Sequence, residues 1–207
     1  MLISSVTNVV RYAGDCRPVD AVSYAMLRGS TLGAQWPKSN AVDDGSFMEI
    51  MRRKTSLKFD LPTEAQWEYA CRAGTTNAWN SGNEGNWNGS YYNTELRLLG
   101  RYTDNHGDGH DSYSEHTKVG LYLPNAWGIY DMHGNVYEWC LDGYKSLMAD
   151  YEEIDPVGAD ATGSRVYRGG FWNAYADCCR VAWRSSRAPN SIEKGTCGFR
   201  LVCLPID

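Results

Sequence analysis

Turn-forming residues interrupt this chain every ten to fifteen residues, and this spacing limits it to short helices and short strands joined by loops. The 207 residues include 21 glycines, together with 8 tryptophans and 14 tyrosines against only 4 phenylalanines. Tryptophan and tyrosine rings can pin loops to a core while their polar atoms find hydrogen-bond partners. A chain of this length is typical of a single domain, and we predict one domain over residues 1–207.

Charge and cysteine usage exclude several classes of protein. The chain carries 20 basic and 25 acidic residues, a net charge of −5, and its basic run is Arg52–Lys54. Because there is no basic stripe, we expect no nucleic-acid partner. No apolar run is long enough to span a membrane, and the N-terminal residues lack the pattern of a signal peptide. The seven cysteines contain no CxxC pair, so we expect no zinc and mostly reduced, buried thiols.

The first half of the chain carries two helix patterns. In AVDDGSFMEIMRRKT, the apolar residues Phe47, Ile50 and Met51 recur at helical spacing. In LPTEAQWEYACRAG, Thr63 is placed to cap a helix, and Gln66 stands at the capping-box position. The segment RPVDAVSYAML, which precedes both patterns, is predicted to be a short strand that enters a helix or a turn.

Strand patterns dominate the second half of the chain. Residues 79–120 are rich in glycine and asparagine and are predicted to form long surface loops. VYEWCLD is predicted to be a strand, SRVYRGGFW and CRVAWRS to pair with each other, and GTCGFRLVCL to be one closing strand buried on both faces. Since helices come early and strands late, we predict an α+β fold with a small mixed or antiparallel sheet.

Three segments together resemble one protein family. LPTEAQWEYACRAGT, NAWGIYDMHGNVYEWCLD and RVYRGG…CR.A.R…GFRLV follow the order found in the formylglycine-generating-enzyme (sulfatase-modifying) domain family. RPVDAVSY resembles the leading segment of that family, so the resemblance runs from about Arg17 to the C-terminus. It implies a C-type-lectin-like fold, with little regular structure, long loops and a small central sheet.

The resemblance also implies a calcium site within NAWGIYDMHGNVYEW. Carried over by position, Asp131 and Glu138 supply carboxylates, and Gly134 and Val136 supply carbonyl oxygens. Oxygen ligands of this kind suit a hard cation such as calcium. In the alternative interpretation, the two carboxylates only cap turns.

The catalytic cysteines of the family's enzymes are not matched here. Those enzymes oxidise a substrate cysteine to formylglycine with two cysteines that follow the paired glycines and can hold copper. In this chain the first position holds Asn173 or Ala174, and Cys178 and Cys179 are adjacent. Side chains of adjacent strand residues point to opposite faces, so we expect Cys179 to face the core, Cys178 to face outward, and no copper to bind. A copper-dependent oxidase that generates formylglycine remains the alternative function.

Other members of the family, the variable proteins of diversity-generating retroelements, have no catalytic residues. In them a C-terminal region is rewritten by adenine-directed mutagenesis while the fold stays fixed. The resemblance therefore implies a non-catalytic protein with a variable ligand-binding region at residues 168–202. The predicted ligand-binding residues have mixed chemistry and lie between fixed frame residues: Asn173, Tyr175, Asp177, Cys178, Trp183, Ser185, Ser186 and Arg187.

The frame residues include arginines that we expect to pair with buried carboxylates or carbonyls and to hold the loops rigid. The resemblance implies a monomer displayed on a bacterial surface, with a protein or surface molecule of another cell as ligand. A further interpretation stays open, in which Tyr175 and Trp183 are core residues of a family member that does not vary.

Overall fold

The secondary structure consists of short elements, as the turn spacing predicts. The structure is a computed structural model that describes residues 16–88, 91–105, 115–146, 156–159 and 163–204. Its helices are α1 Tyr24–Arg28, α2 Phe47–Thr55, α3 Glu64–Arg72 and α4 Leu96–Leu99, with 3₁₀ turns at Gly33–Gln35 and Ala176–Cys179. Its strands are β1 Lys58–Asp60, β2 Trp87–Asn88, β3 Tyr92–Asn93, β4 Gly100–Arg101, β5 His133–Gly134, β6 Tyr137–Gly143, β7 Arg165–Arg168, β8 Ser185–Arg187, β9 Cys197–Gly198 and β10 Val202–Leu204.

The central sheet has four strands in the order β8–β7–β6–β9. Strand β7 is antiparallel to both of its neighbours, β6 and β8, whereas β9 runs parallel to β6. The core packs against this sheet, with Trp139 of β6 and Tyr167 of β7 among its buried residues. A small mixed sheet beside a few helices confirms the predicted α+β class. The prediction of one domain over residues 1–207 includes residues 1–15 and 205–207, which lie outside the described residues.

Both predicted helices are present, and local capping explains where each begins. The Thr63 hydroxyl accepts a hydrogen bond from the Gln66 backbone N–H at 3.1 Å, and the Gln66 side chain accepts one from the Thr63 N–H at 3.0 Å. This is the predicted capping box, and it starts α3. Ser46 caps α2 in the same manner, by accepting from the Glu49 N–H. No described helix is long and apolar enough to cross a membrane.

Three strand predictions are wrong in extent. GTCGFRLVCL splits into β9, in the central sheet, and β10, which pairs with β1 and is not buried on both faces. The split falls where Arg200 turns to pair with Glu138. In CRVAWRS only Ser185 lies in a strand, because the preceding residues form a 3₁₀ turn and a loop. RPVDAVSYAML forms α1 but no strand over its described residues.

An ion-pair cluster joins the start of α3 to the C-terminal segment. The Glu64 carboxylate accepts hydrogen bonds from Arg168 at 3.0 Å and from two nitrogens of Arg184 at 2.6 and 2.7 Å. Arg168 also donates to Glu68 at 2.6 Å, and the side chains of Arg168 and Glu64 are buried. We call these four residues the Glu64 cluster. The cluster fixes both ends of residues 169–183 on one helix and bears out the expected pairing of the frame arginines.

Replacing Glu64 with glutamine is expected to destabilise the protein strongly. The guanidinium groups of Arg168 and Arg184 would lose their shared counter-charge, and breaking a buried ion pair costs about 3–5 kcal/mol in the free energy of unfolding. Chemical denaturation measures this quantity. The matched control is Glu49→Gln, which removes a more exposed pair with Arg53 and should cost less than about 1 kcal/mol. Equal losses in the two variants would contradict the role given to the Glu64 cluster.

Candidate functional site

The C-terminal segment, residues 168–202, alternates buried residues with residues that reach the surface. Ala174, Ala176, Cys179 and Val181 are buried. None of the eight predicted ligand-binding residues is buried. Three are exposed, namely Asn173, Tyr175 and Arg187, and five are half-buried, namely Asp177, Cys178, Trp183, Ser185 and Ser186.

Asn173, Tyr175, Asp177 and Cys178 form a first group, on the loop and 3₁₀ turn after β7. Buried alanines between them insert into an apolar cluster, which we call the Trp79 cluster: Trp79, Leu96, Leu99, Tyr102, Ala174, Ala176 and Cys179. Because alternate residues point inward, Asn173 and Tyr175 are directed to solvent. The Asn173 side-chain oxygen accepts a hydrogen bond from the Thr103 hydroxyl at 3.2 Å.

Ser185, Ser186 and Arg187 form a second group, on the edge strand β8. The Ser185 hydroxyl donates to the Tyr167 hydroxyl at 3.2 Å, and Arg187 pairs with Glu193 at 2.8 Å. Trp183 precedes this strand and is half-buried, and its indole N–H is buried with no hydrogen-bond acceptor in the part of the chain that the structure describes. A buried polar atom without a partner is unusual, and nothing in the structure explains this one.

Tyr137, on β6, lies between the two groups. Its ring packs on Tyr167 at 4.3 Å and on Phe171 at 5.3 Å. Burial raises the pKa of the Tyr137 hydroxyl, Cys178 is among the neighbours that raise it further, and Arg187 lowers it. The sequence analysis missed Tyr137 as a part of this site, although it placed the residue on a strand.

Tyr91 and Thr103 were also missed. They lie in a stretch that the sequence analysis described only as surface loops, and no motif marks them. Their contacts with Tyr175 and Asn173 arise from the tertiary fold.

The adjacent cysteines lie on a 3₁₀ turn, where the sequence analysis predicted a strand. The prediction that Cys179 faces the core is confirmed, since it is fully buried in the Trp79 cluster. The prediction that Cys178 faces outward is wrong in part, because Cys178 is half-buried and packs against the same cluster. Burial raises the pKa of Cys178 to about 11, and it raises the pKa of Cys179 well above its usual value. Both thiols are therefore protonated at neutral pH, whereas the thiolate is the form that attacks substrates and binds metals.

The carboxylates of the predicted calcium site lie on one cavity of about 500 Å³. Glu138 accepts hydrogen bonds from two nitrogens of Arg200, at 2.5 and 2.6 Å, and from the Trp67 indole at 2.6 Å. Asp131 accepts one from the Gly120 N–H at 2.7 Å, while its second carboxylate oxygen is buried and has no partner. Burial raises the pKa of the Asp131 carboxyl, and repulsion by Glu138 raises it further.

The two predicted carbonyl ligands are close to these carboxylates along the chain. Val136 is buried and lines the same cavity, whereas Gly134 lies on the neighbouring strand β5. A side chain at Gly134 would collide with the Arg101 carbonyl, so this position requires glycine. Among the described residues no three His, Cys, Asp or Glu side chains are grouped to hold a metal. The predicted site uses only two carboxylates with carbonyls, and it stays a prediction.

Comparison with known proteins assigns the family. A family model described as the sulfatase-modifying factor enzyme 1-like domain matches residues 17–204. Formylglycine-generating enzymes of Thermomonospora curvata and Streptomyces coelicolor are 34% and 38% identical over 162 and 151 residues. These alignments cover 70% and 68% of this chain but 50% and 45% of the enzymes. The chain thus spans about half the length of the curated relatives it matches.

Solved structures show the same fold. Treponema denticola variable protein 1 superposes with a TM-score of 0.73 at 24% identity, over 99% of this chain and 80% of that one. PvdO from Pseudomonas aeruginosa superposes with a TM-score of 0.65 at 25% identity, over 93% and 64%. These likenesses confirm the predicted α+β, C-type-lectin-like fold class. The chain belongs to the sulfatase-modifying factor enzyme 1-like family, which includes the formylglycine-generating enzymes.

Proposed function

We propose that this protein is a non-catalytic ligand-binding protein whose residues 168–202 present variable side chains on a fixed scaffold. One observation carries the proposal: all eight predicted ligand-binding residues reach the surface, while Arg168 and Arg184 hold the segment on Glu64. A change at a surface residue therefore leaves the anchor in place. This separation of anchor from surface is what a diversified binding region requires.

The physical properties of the segment support recognition of a macromolecule. Loops held by ion pairs lose little conformational freedom when a partner binds, so less binding energy is spent on ordering them. Tyrosine, serine and asparagine are the residues that antibody loops use for adaptable contacts. By resemblance to the variable members of the family, we place the protein on a bacterial surface, as a monomer, with a protein or cell-surface molecule as its ligand.

Replacing surface residues of the segment together is expected to leave the fold intact. In a triple variant, Asn173→Ser, Tyr175→Ser and Arg187→Ser, we expect the melting temperature to stay within about 2 °C of the wild-type value, because all three residues are exposed and exposed substitutions rarely affect stability. The control is Ala176→Asn, which buries an amide among apolar side chains and should lower the melting temperature by more than about 5 °C. Both values come from thermal unfolding followed by circular dichroism.

Unfolding of the triple variant would support the other interpretation, in which these side chains belong to the core of an invariant protein. Diversification itself is tested at the DNA level. The proposal requires a near-copy of the codons for residues 170–198, differing at adenines, beside a reverse-transcriptase gene. If the gene has no such copy nearby, the binding residues do not vary, and only the proposal of a ligand-binding protein with one fixed binding surface remains.

A copper-dependent oxidase that generates formylglycine is the second candidate function. Identities of 34% and 38% to formylglycine-generating enzymes favour it. The described thiols do not support it, because Cys179 is enclosed by apolar side chains and both adjacent thiols are protonated at neutral pH.

With copper(I) and a cysteine-containing peptide, we expect the protein to consume no more oxygen than its Cys178→Ser, Cys179→Ser double variant. The reason is that neither sulfur is available as a thiolate. An oxygen electrode measures the rate, and mass spectrometry of the peptide detects formylglycine. Turnover that disappears in either single variant would establish the oxidase and refute the non-catalytic proposal.

We further propose that calcium binds beside Asp131, with Glu138, Gly134 and Val136 as the other ligands. The unpartnered, buried oxygen of Asp131 supports this proposal, because an orphaned carboxylate oxygen is costly and suits a hard cation. Repulsion between Asp131 and Glu138 supports it as well. Bound calcium would supply positive charge that links the loop before β5 to strand β6.

Removal of calcium with EDTA is expected to lower the melting temperature, and added calcium to restore it, because a ligand that binds only the folded state stabilises it. Asp131→Asn should abolish this response. A matched control is Glu193→Gln, since Glu193 pairs with Arg187 on β8 and should leave the response unchanged. A wild-type melting temperature that is the same in EDTA and in calcium would remove calcium from the proposal.

A further inference from the structure

Tyr175 shares an exposed corner with a residue from another part of the chain. Its ring lies 4.3 Å from the ring of Tyr91, at an interplanar angle of 61°. Both side chains stay about half exposed, Tyr91 at 56% and Tyr175 at 45%. Two rings that touch each other and still face solvent form an aromatic surface that is ordered before any partner arrives.

The segments that carry Tyr175 and Tyr91 are both attached to the Trp79 cluster. On one side, the Thr103 N–H donates to the Ala174 carbonyl at 3.0 Å, directly before Tyr175. On the other side, the hydroxyl of Tyr102 donates to the Asn93 carbonyl at 3.1 Å and accepts from the Asn93 N–H at 3.2 Å, two residues after Tyr91. Tyr102 and Ala174 both belong to the Trp79 cluster. The relative position of the two rings is therefore set by the core.

The charge beside the corner is negative. Asp177 follows Tyr175 by two residues, and one of its carboxylate oxygens is buried with no hydrogen-bond partner among the described residues. The Tyr91 hydroxyl is the main cause of the raised pKa of Tyr175, and the Asp177 charge raises that pKa further. Burial is the main cause of the raised pKa of Cys178, and Asp177 raises that pKa as well. The nearby Arg180 directs its Nε–H to the Asp177 backbone carbonyl at 3.0 Å. This contact uses the backbone carbonyl of Asp177 and leaves the negative charge of its side chain beside the corner.

We infer that Tyr91, Tyr175 and Asp177 form a subsite for a cationic side chain, a lysine ammonium or an arginine guanidinium, presented by a protein partner. The inference rests on the proposed ligand-binding function and specifies the chemistry of the partner. Cations bind over the faces of aromatic rings, and a neighbouring carboxylate adds Coulomb attraction. The net charge of −5 also favours a basic partner. Tyr91 lies outside residues 168–202, so it is a fixed binding residue beside variable ones.

The probes are three short peptides that differ in one residue: acetyl-Gly-Arg-Gly-amide, its glutamine analogue and its glutamate analogue. Each is titrated into the full chain while NMR follows the ring signals of Tyr91 and Tyr175. We expect saturable shifts with the arginine peptide alone. Binding should weaken several-fold in Asp177→Asn, because the attractive charge is removed, and disappear in Tyr91→Ala.

Two further variants separate recognition from folding. Tyr91→Phe keeps the aromatic face and should retain binding of the arginine peptide. Tyr69→Ala removes another exposed tyrosine, which packs on Trp127 in a different part of the surface, and should change nothing. Loss of binding in Tyr69→Ala would show that the effect is not specific to the corner and would overturn the inference.

The remaining outcomes are equally decisive. Equal shifts with the arginine and glutamine peptides, or no shift with either, would refute a cationic subsite. Larger shifts with N-acetylglucosamine than with the arginine peptide would assign the corner to a glycan and refute it as well. If the triple surface variant folds normally but the arginine peptide does not bind to the wild-type protein, the cationic subsite is refuted and the proposed ligand-binding function stands. If the triple variant unfolds, the proposed function fails whatever the peptides show.

Discussion

The carboxylate of Glu64 is the constraint on which the arrangement of the C-terminal segment depends. It accepts hydrogen bonds from Arg168, at the end of strand β7, and from Arg184, just before strand β8. The loop of residues 169–183 therefore begins and ends at the start of helix α3. Glu64 itself is held there by the Thr63 cap and by its own N–H, which donates to Asp142 at 2.6 Å. A buried carboxylate is tolerated because two guanidinium groups neutralise it and satisfy its oxygens.

Arg200 supplies a third point of attachment, on Glu138 of strand β6. The segment is thereby held at its start, its middle and its end by arginines, and between these points buried side chains alternate with side chains that are exposed or half-buried. In the loop after β7, the chain directs Cys179 into the Trp79 cluster. The same scaffold therefore lends itself to presentation of side chains, since its rigidity does not depend on them.

Much of the fold was predictable because its signals are local. The capping box of α3 and the spacing of apolar residues in α2 depend only on residues within a few positions, and both helices form where predicted. Strand lengths were less predictable. GTCGFRLVCL has the composition of one buried strand, but Arg200 is drawn to Glu138 and divides it into two strands of different sheets. CRVAWRS likewise yields a turn, because Ala176 and Cys179 are drawn into an apolar cluster.

The sequence by itself determined the family, the two main helices and the pairing role of the arginines. These features follow from motifs, short-range periodicity and residue chemistry. Only the tertiary structure decided which carboxylate each arginine meets, that Asp131 keeps an unpartnered oxygen, and that Tyr91 packs on Tyr175. Each of these depends on segments far apart in the chain being brought together by burial of a common core, and no local pattern encodes such a contact.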